Sequence, residues 1–295
     1  MELKHLATFL AVARTLGFTR AAHELGYVQS SVTAHVKALE TELGVPLFER
    51  FGRRVALTEA GRELRGHARE LLALAARAGE ATRAAGGSGG EVGGTLRIAA
   101  AESLCAYRLP TVLRTLTRRH PALRLAFGPA ERAAVFTALA DGALDAGFLL
   151  EERIEAPLVA ARRLAEEPLA LVAHPGHPLA GRAGIAAAEL ADDTLLVVER
   201  GCALRELADA ELAGAVTDPV VMEFVSMEAL KRCAAAGLGV ALVPRATVRD
   251  ELARGELTAL DWRLRPGLGV YLVTGAGRGG PRALAELASL AAEMW

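Results

Sequence analysis

The sequence predicts a mostly helical N-terminal module, one long helix, and a C-terminal α/β domain of two lobes. Three observations predict it. Residues 18–44 carry two short helical patterns on either side of a tight turn, followed by a basic hairpin pattern. A run without proline from Thr58 to about Ala85 leads into GGSGGEVGG. From residue 95 to residue 295, strand-like and helix-like segments alternate, the pattern of a layered α/β fold.

Residues 3–16 read as the first helix, with Leu3, Leu6, Phe9, Leu10 and Val12 on one face. In the stretch FTRAAHELGYVQSSVTAHVKALETELG, Thr19 suits an N-cap, and Ala21, Ala22 and Leu25 form an apolar side. Gly26 ends that helix, because glycine takes the left-handed C′ conformation cheaply. The next helix starts near Gln29 or Ser30, with Ser30 able to cap it, and Gly44 closes it. Val32, Val36, Leu39 and Leu43 recur at steps of four, three and four, one buried face. Ser31, Thr33, His35 and Lys37 fall on the other. Two helices joined this way suggest a helix-turn-helix, whose second helix enters a major groove N-terminal end first. A helical hairpin inside an ordinary core would show the same spacing.

LGVPLFERFGRRVALTEAG, residues 43–61, reads as strand, turn, strand and helix start. Leu47 and Phe48 are expected to close the small core. Arg50, Arg53 and Arg54 cluster about Gly52, as in a wing that touches phosphate or minor groove. A solvated turn is the plainer alternative. From Thr58, an expected N-cap, the long helix would run roughly 40 Å. Leu64, Ala68, Leu71, Ala75 and Ala78 form a heptad seam along it. That seam suits a dimer, the alternative being packing on its own domain. The glycine-rich segment 86–94 reads as a flexible linker.

Beyond it, TLRIAA, LRLAFG and DAGFLL are strands, with helices up to Arg119 and over ERAAVFTALADG. Pro110 is tolerable only near a first turn. LALVAH, TLLVVE, VVMEF and GVALVP are further strands, with helices over 203–213 and SMEALKRCAAAG. Two α/β lobes with largely parallel sheets follow, joined by crossovers near 162–168 and 262–269. GVYLVTG and PRALAELASLAAEMW return to the first lobe.

The order FTRAAHEL, QSSVTAHVKALETELGVPLFER, RRVALTEAG resembles the N-terminal domain of LysR-type transcriptional regulators over roughly the first 65 positions. Many members differ at three places, with proline at Ser30, serine or threonine at Val28, and a long polar residue at Ala34. The α/β part, with VAHPGHPLA, resembles the periplasmic-binding-protein-like effector domain of the same family. The expected organisation is therefore a winged helix-turn-helix over 1–57, a linker and dimerisation helix with glycine-rich hinge over 58–94, and an effector-binding domain over 95–295. Its first lobe would take about 95–163 and 268–295, its second about 164–267. The candidate DNA contacts are Thr19, Arg20, Gln29, Ser30, Ser31, Thr33, His35, Lys37, Arg50, Arg53 and Arg54. The resemblance implies double-stranded DNA and an unknown small-molecule effector as partners, and a homodimer extended to a tetramer.

Ligands in such folds sit near strand C-terminal ends and helix N-termini. This makes Glu102, Ser103, Leu104 and Cys105 candidates in the first lobe, with Phe148 at its third strand. Glu199, Cys202, Val225 and Ser226 are their counterparts in the second. Simple capping explains the serines equally well, a solvated loop Glu199, and core packing Phe148. Glu102 would oppose an anionic effector; it either meets an ammonium group or points away.

Composition narrows the classes. The chain of 295 residues is 52% hydrophobic but only 4% aromatic, long enough for two or three domains. No apolar run approaches the ~18 residues that span a membrane, and MELKHLATFLAVART is amphipathic rather than a signal peptide. Net charge is −1, against a general polyanion binder. Yet Arg50, Arg53, Arg54, Arg62 and Arg65 outweigh Glu59 and Glu63, a local basic face. Cys105, Cys202 and Cys233 form neither a disulfide framework nor a zinc site, as expected of a reduced, cytoplasmic protein. Cys105 and Cys202 near the cleft leave a redox or metal-sensing pair as a second reading. The closely spaced cysteines of the family's peroxide sensors are absent. No GxSxG, P-loop, strand-linked GxGxxG or HExxH occurs, and His174 and His177 lie in a turn, so no catalytic residue, metal or cofactor is expected. A solute-binding protein of the cell exterior is a further alternative, which the basic N-terminal module disfavours.

Overall fold

The computed structural model describes residues 1–51, 54–86, 92–157, 159–212, 220–262, 267–276 and 282–295. The chain divides into two compact units, the first formed by Met1–Gly90 with Ala140–Ala143, the second by the rest.

The first unit opens with α1 (Leu3–Thr15), α2 (Phe18–Leu25) and α3 (Gln29–Leu43). Its core holds Leu6, Phe9, Val12, Ala21, Ala22, Val32, Val36 and Leu39, all nearly or fully buried. Leu3 and Leu43, expected on these apolar faces, are 48% and 39% exposed; each lies at a helix end, past the neighbouring helices. Both expected caps also shift. Gly17 and Val28 occupy the N-cap positions, and neither helix has a side-chain cap bond. Thr19 and Ser30 each lie two residues past the cap, already inside the first turn. The C-terminal ends behave as expected, with Gly26 at φ +67° and Gly44 at φ +73°.

The hairpin β1 (Phe48–Phe51) and β2 (Arg54–Leu57) is antiparallel, with Phe48 opposite Leu57. Leu47 is fully buried, and Phe48 packs against Phe9 and Phe18 with ring centroids 5.3 and 5.8 Å away. The Glu40 carboxylate on α3 accepts from Leu47 N (2.8 Å) and Phe48 N (3.3 Å), tying the hairpin to the helix before it. Thr58 caps α4 (Glu59–Gly86), its hydroxyl accepting from Gly61 N at 2.9 Å and donating to Pro46 O at 2.8 Å. Along the heptad seam the cover changes. Ala68 is buried in the domain's own core and Leu64 packs against it, whereas Leu71 and the flanking Leu74 are 37% and 56% exposed. Own-domain packing therefore accounts for the first turns of the stripe only. Residues 87–91 of the expected linker lie outside the described residues.

The second unit contains two five-stranded sheets. In the first lobe, β3 (Gly94–Ala100) lies parallel to β4 (Leu123–Pro129) and β5 (Ala146–Glu151). Strand β6 (Val159–Glu167), which the sequence pattern did not single out, runs across to the second lobe, which starts with β7 (Leu169–Ala173). Strands β8 (Leu195–Val198) and β9 (Val221–Phe224) are parallel, and β10 (Val240–Pro244) pairs parallel with β8 and antiparallel with β7. After β11 (Thr258–Leu260) the chain returns as β12 (Leu268–Gly275), antiparallel to β5 and β6. Both sheets are thus mixed, each with one reversed strand: β12 runs against its neighbours β5 and β6 in the first, and β7 against β10 and β11 in the second. Pairing of Glu167 with Leu268 carries the first lobe to 167 rather than 163.

Helices cover both sheets. The expected single helix up to Arg119 is two, α5 (Glu102–Tyr107) and α6 (Leu109–Arg119). Pro110 lacks an N–H and so sits in the first turn of α6. The remaining helices are α7 (Arg132–Ala140), α8 (Ala203–Leu212), α9 (Met227–Ala235), α10 (Arg249–Arg254) and α11 (Arg282–Met294). The last packs on α6, returning the C-terminal segment to the first lobe.

Candidate DNA-binding face and effector cleft

On α3, helical geometry separates the candidate residues. At about 100° per residue, Ser30, Ala34 and Lys37 point opposite Val32, and all three are exposed. Gln29 is exposed in the first turn, and half-buried Thr33 donates its hydroxyl to Gln29 O at 3.0 Å. Lys37 has no ion-pair partner among the described residues. Ser31 is half-buried. Thr19 and Arg20 are exposed at the start of α2, Arg20 reaching back to Leu16 O at 3.3 Å.

His35 is a correction. It lies only about 60° from Val32 around the helix, and its Nδ1 meets the hydroxyl of buried Thr8 on α1 at 3.0 Å. Its ring also touches those of His5 (4.9 Å) and Tyr27 (5.6 Å). Burial, then the charges of His5 and Lys4, push its pKa below the usual histidine value. It is an internal brace between α1 and α3, not an outward group. Of the wing arginines, Arg50 and Arg54 belong to β1 and β2, while Arg53 lies outside the described residues.

In the second unit, β3 delivers its chain directly into α5, with Ala101 N donating to Phe148 O at 2.9 Å. Glu102 is exposed, Ser103 is 8% exposed and Cys105 half-buried. Two candidates are core residues instead. Leu104 is 1% exposed, and Phe148 is fully buried with its ring edge-on to Trp295 at 5.6 Å. Alternation along a strand buried on both faces leaves no side chain free for a cleft. In the second lobe Val225 is 79% exposed, and Ser226 caps α9 through Ala229 N at 3.3 Å. Cys202 O accepts from Arg205 N and Glu206 N, both at 3.1 Å, starting α8, and half-buried Glu199 lies just before it.

Desolvation is the largest influence on titration at these positions. The Glu102 carboxyl is pushed up by desolvation; Lys231 opposes the shift and Glu228 adds to it. Desolvation raises the Cys105 thiol to about 11, against the effect of its contact with Ala100 O. Cys202 is raised too, by burial first and then by Glu151 and Glu206, against two backbone N–H contacts. All three cysteines are free. Neither cleft thiol has the thiolate character that a reactive cysteine needs. No cluster of three or more potential metal ligands occurs among the described residues.

The sequence did not single out the charged groups that join the lobes. Arg132, on α7, donates to Glu151 of β5 and to Glu206 of α8, both at 3.0 Å. Lys231 of α9 is 3% exposed and donates to Tyr107 Oη (2.9 Å), Thr247 O (2.8 Å) and Glu251 (2.6 Å), with Glu228 at 3.0 Å. Tyr107 belongs to the first lobe, the others to the second. Arg108 pairs at 2.6 Å with Glu167, 1% exposed, where β6 leaves the first lobe. The one available signal was a charged residue at the end of an otherwise apolar segment, as in FLLE and AEEP.

A helix-turn-helix head followed by a two-lobed ligand-binding body defines a one-chain, ligand-responsive regulator. Comparisons with known proteins identify the class. Residues 3–62 match the family model "Bacterial regulatory helix-turn-helix protein, lysR family", and residues 89–295 match "LysR substrate binding domain". A probable hydrogen peroxide-inducible genes activator of Mycobacterium avium is 35% identical over 292 residues, covering 98% of this chain and 93% of its own. The regulator CbbR of Rhodospirillum rubrum is 34% identical over 261 residues, 88% of this chain and 85% of its own. Among solved structures, full-length CbnR in complex with its target DNA superposes with TM-score 0.69 at 25% identity, covering 100% of both chains. A single-site variant of full-length OxyR from Pseudomonas aeruginosa gives 0.75 at 26%, covering 99% of this chain and 94% of its own. The chain belongs to the LysR family. It is a LysR-type DNA-binding transcriptional regulator with an effector-binding domain, which sets it among regulators rather than enzymes.

Proposed function

We propose that Gln29, Ser30, Ser31, Thr33 and Lys37 present α3 to base edges and backbone in the major groove, with Thr19 and Arg20 on phosphates. The observation that carries this is the exposure of Gln29, Ser30 and Lys37 on α3, away from its buried row, with Ser31 and Thr33 half-buried at the edge. Alanine at position 34, also exposed, lets the helix backbone approach a groove wall closely. Arg50, Arg53 and Arg54 supply phosphate or minor-groove contacts from the wing. The exposed Leu71 and Leu74 on α4 support a homodimer seam, which places two recognition helices a whole number of DNA turns apart. A tetramer of such dimers and a cytoplasmic location belong to the same reading. No helix among the described residues is long and apolar enough to cross a membrane.

The effector occupies the cleft at the strand exits, against Glu102, Ser103, Cys105, Glu199, Cys202, Val225 and Ser226. It acts by binding one arrangement of the lobes more tightly than another. Redox sensing by Cys105 and Cys202 is disfavoured by the upward shift of both thiols.

The test is binding of the full-length protein to the DNA upstream of its own gene across a salt series. Selective binding whose salt slope falls by about one in Arg53→Ala supports the wing contact. An unchanged slope removes Arg53 from it, and absence of selective binding at every salt concentration removes that DNA as the target.

A further inference from the structure

We propose that a cavity on the lobe seam, separate from the strand-exit cleft, binds a small organic anion: a carboxylate or phosphate on an apolar body. The cavity is about 400 Å³, within the range of small-molecule sites. None of the cleft candidates lines it. Tyr107, Met294 and Trp295 of the first lobe form an apolar wall, and Lys231, Arg249 and Arg254 of the second face it. An adjoining pocket of about 190 Å³ shares Arg108 and Arg249 and adds Arg245.

The cations divide into committed and uncommitted ones. Arg108 is held by Glu167, Lys231 by Glu251 and Glu228, and Arg254 by Glu256. Arg245 and Arg249, one helical turn apart, make no side-chain bond or ion pair to any described residue. Arg245 is engaged only through its backbone N, donating to Pro168 O at 2.7 Å. Over the larger cavity Arg108, Lys231, Arg249 and Arg254 outnumber Asp250 and Glu251. The free Arg249 guanidinium beside an aromatic and thioether wall, with that of Arg245 in the adjoining pocket, suits an anionic head on an apolar body. Such a ligand touches Trp295 and Tyr107 from one lobe and Arg249 from the other. It would therefore strengthen the seam that the Tyr107–Lys231 bond already spans, and so bias the arrangement of the lobes. The proposal does not depend on what fills the strand-exit cleft.

The test is isothermal titration of the full-length protein with phenylacetate and, separately, with phenyl phosphate, to distinguish the two heads. Saturable binding of at least one is expected, weakened tenfold or more in R245A/R249A and changed less than twofold in the cleft variant Ser226→Ala. Both arginines are exposed, so the double variant should melt with the parent; Arg249→Gln keeps the side-chain stem if it does not. The chain has only two tryptophans, and the ligand-induced fluorescence change should disappear in Trp295→Phe. Binding of neither anion, or binding unchanged in the arginine variants, overturns the proposal.

Discussion

Lys231→Met separates the two contributions of the lobe seam, because it keeps the aliphatic stem and removes the charge. Lys231 and Glu251 are 3% and 7% exposed, with Nζ 2.6 Å from the carboxylate. Burial opposes the ammonium charge, but the hydrogen bonds that the ammonium donates to Glu251, Tyr107 and Glu228 outweigh that, and the amine pKa lies above the usual lysine value. A raised folded-state value means that the stabilisation is fully present at neutral pH and is lost only as pH climbs through that value. Removing one partner of a buried pair costs about 3–5 kcal/mol, mostly through the charge left behind. Glu228 adds little, since its side chain is 50% exposed and exposed pairs contribute about 0–1 kcal/mol. Methionine nearly conserves volume, which keeps the packing penalty below about 1.5 kcal/mol. In a domain of this size the melting transition should fall by roughly 6–20 °C, read by calorimetry on the full chain. The double variant Lys231→Met/Glu251→Leu should recover most of the loss, because the stranded carboxylate is gone. A loss below about 1 kcal/mol would show that Nζ is solvated, and failure of the double variant to recover would show that packing, not charge, was removed.

Three further outcomes test other parts of the argument. Gly61→Ala drives a Cβ into Leu47 O and to 2.8 Å from Leu57 Cδ2; overpacking of about 3 kcal/mol against a helical gain of about 1 should lower the urea midpoint of the DNA-binding unit, and a neutral result would mean that the hairpin shifts freely. With its thiol at about 11, Cys105 should alkylate roughly a hundredfold more slowly at neutral pH than an unperturbed cysteine, measured by mass spectrometry of peptides after timed labelling; alkylation at the ordinary rate would restore the redox reading. Leu74→Glu should shift the protein towards monomer in sedimentation velocity without changing its melting temperature, whereas an unchanged sedimentation coefficient would move the dimer seam off α4.

Local chemistry made much of the fold legible. Gly26 and Gly44 stop their helices because left-handed backbone costs them little, and Thr58 caps α4 as its position at the head of a proline-free run suggested. The caps failed where the polar residue lay inside the helix and a glycine or valine before it took the extended turn, as at Thr19 and Ser30. Strand β6 was obscured because its segment, VAARRLAEE, is mostly exposed and lacks apolar alternation. Its pairing with β12 is set across more than a hundred residues, which no local window contains.

The site was less legible for a related reason. A strand exit predicts where a ligand-binding loop lies but not which way each side chain turns, so Ser226 and Phe148 looked alike in sequence. One caps a helix on the surface and the other fills the core. His35 likewise occupies a polar helix face by pattern, yet Thr8 on another helix draws it inward. The charges that join the lobes are the extreme case. Arg132 bonds Glu206, 74 residues away, and Lys231 bonds Tyr107, 124 residues away, and only the folded sheets bring them together. Each bonded group must stay paired once buried, since an orphaned charge costs several kcal/mol. The seam therefore favours one lobe arrangement, and an effector that selects another must compensate for the bonds of Arg132 and Tyr107 that it breaks.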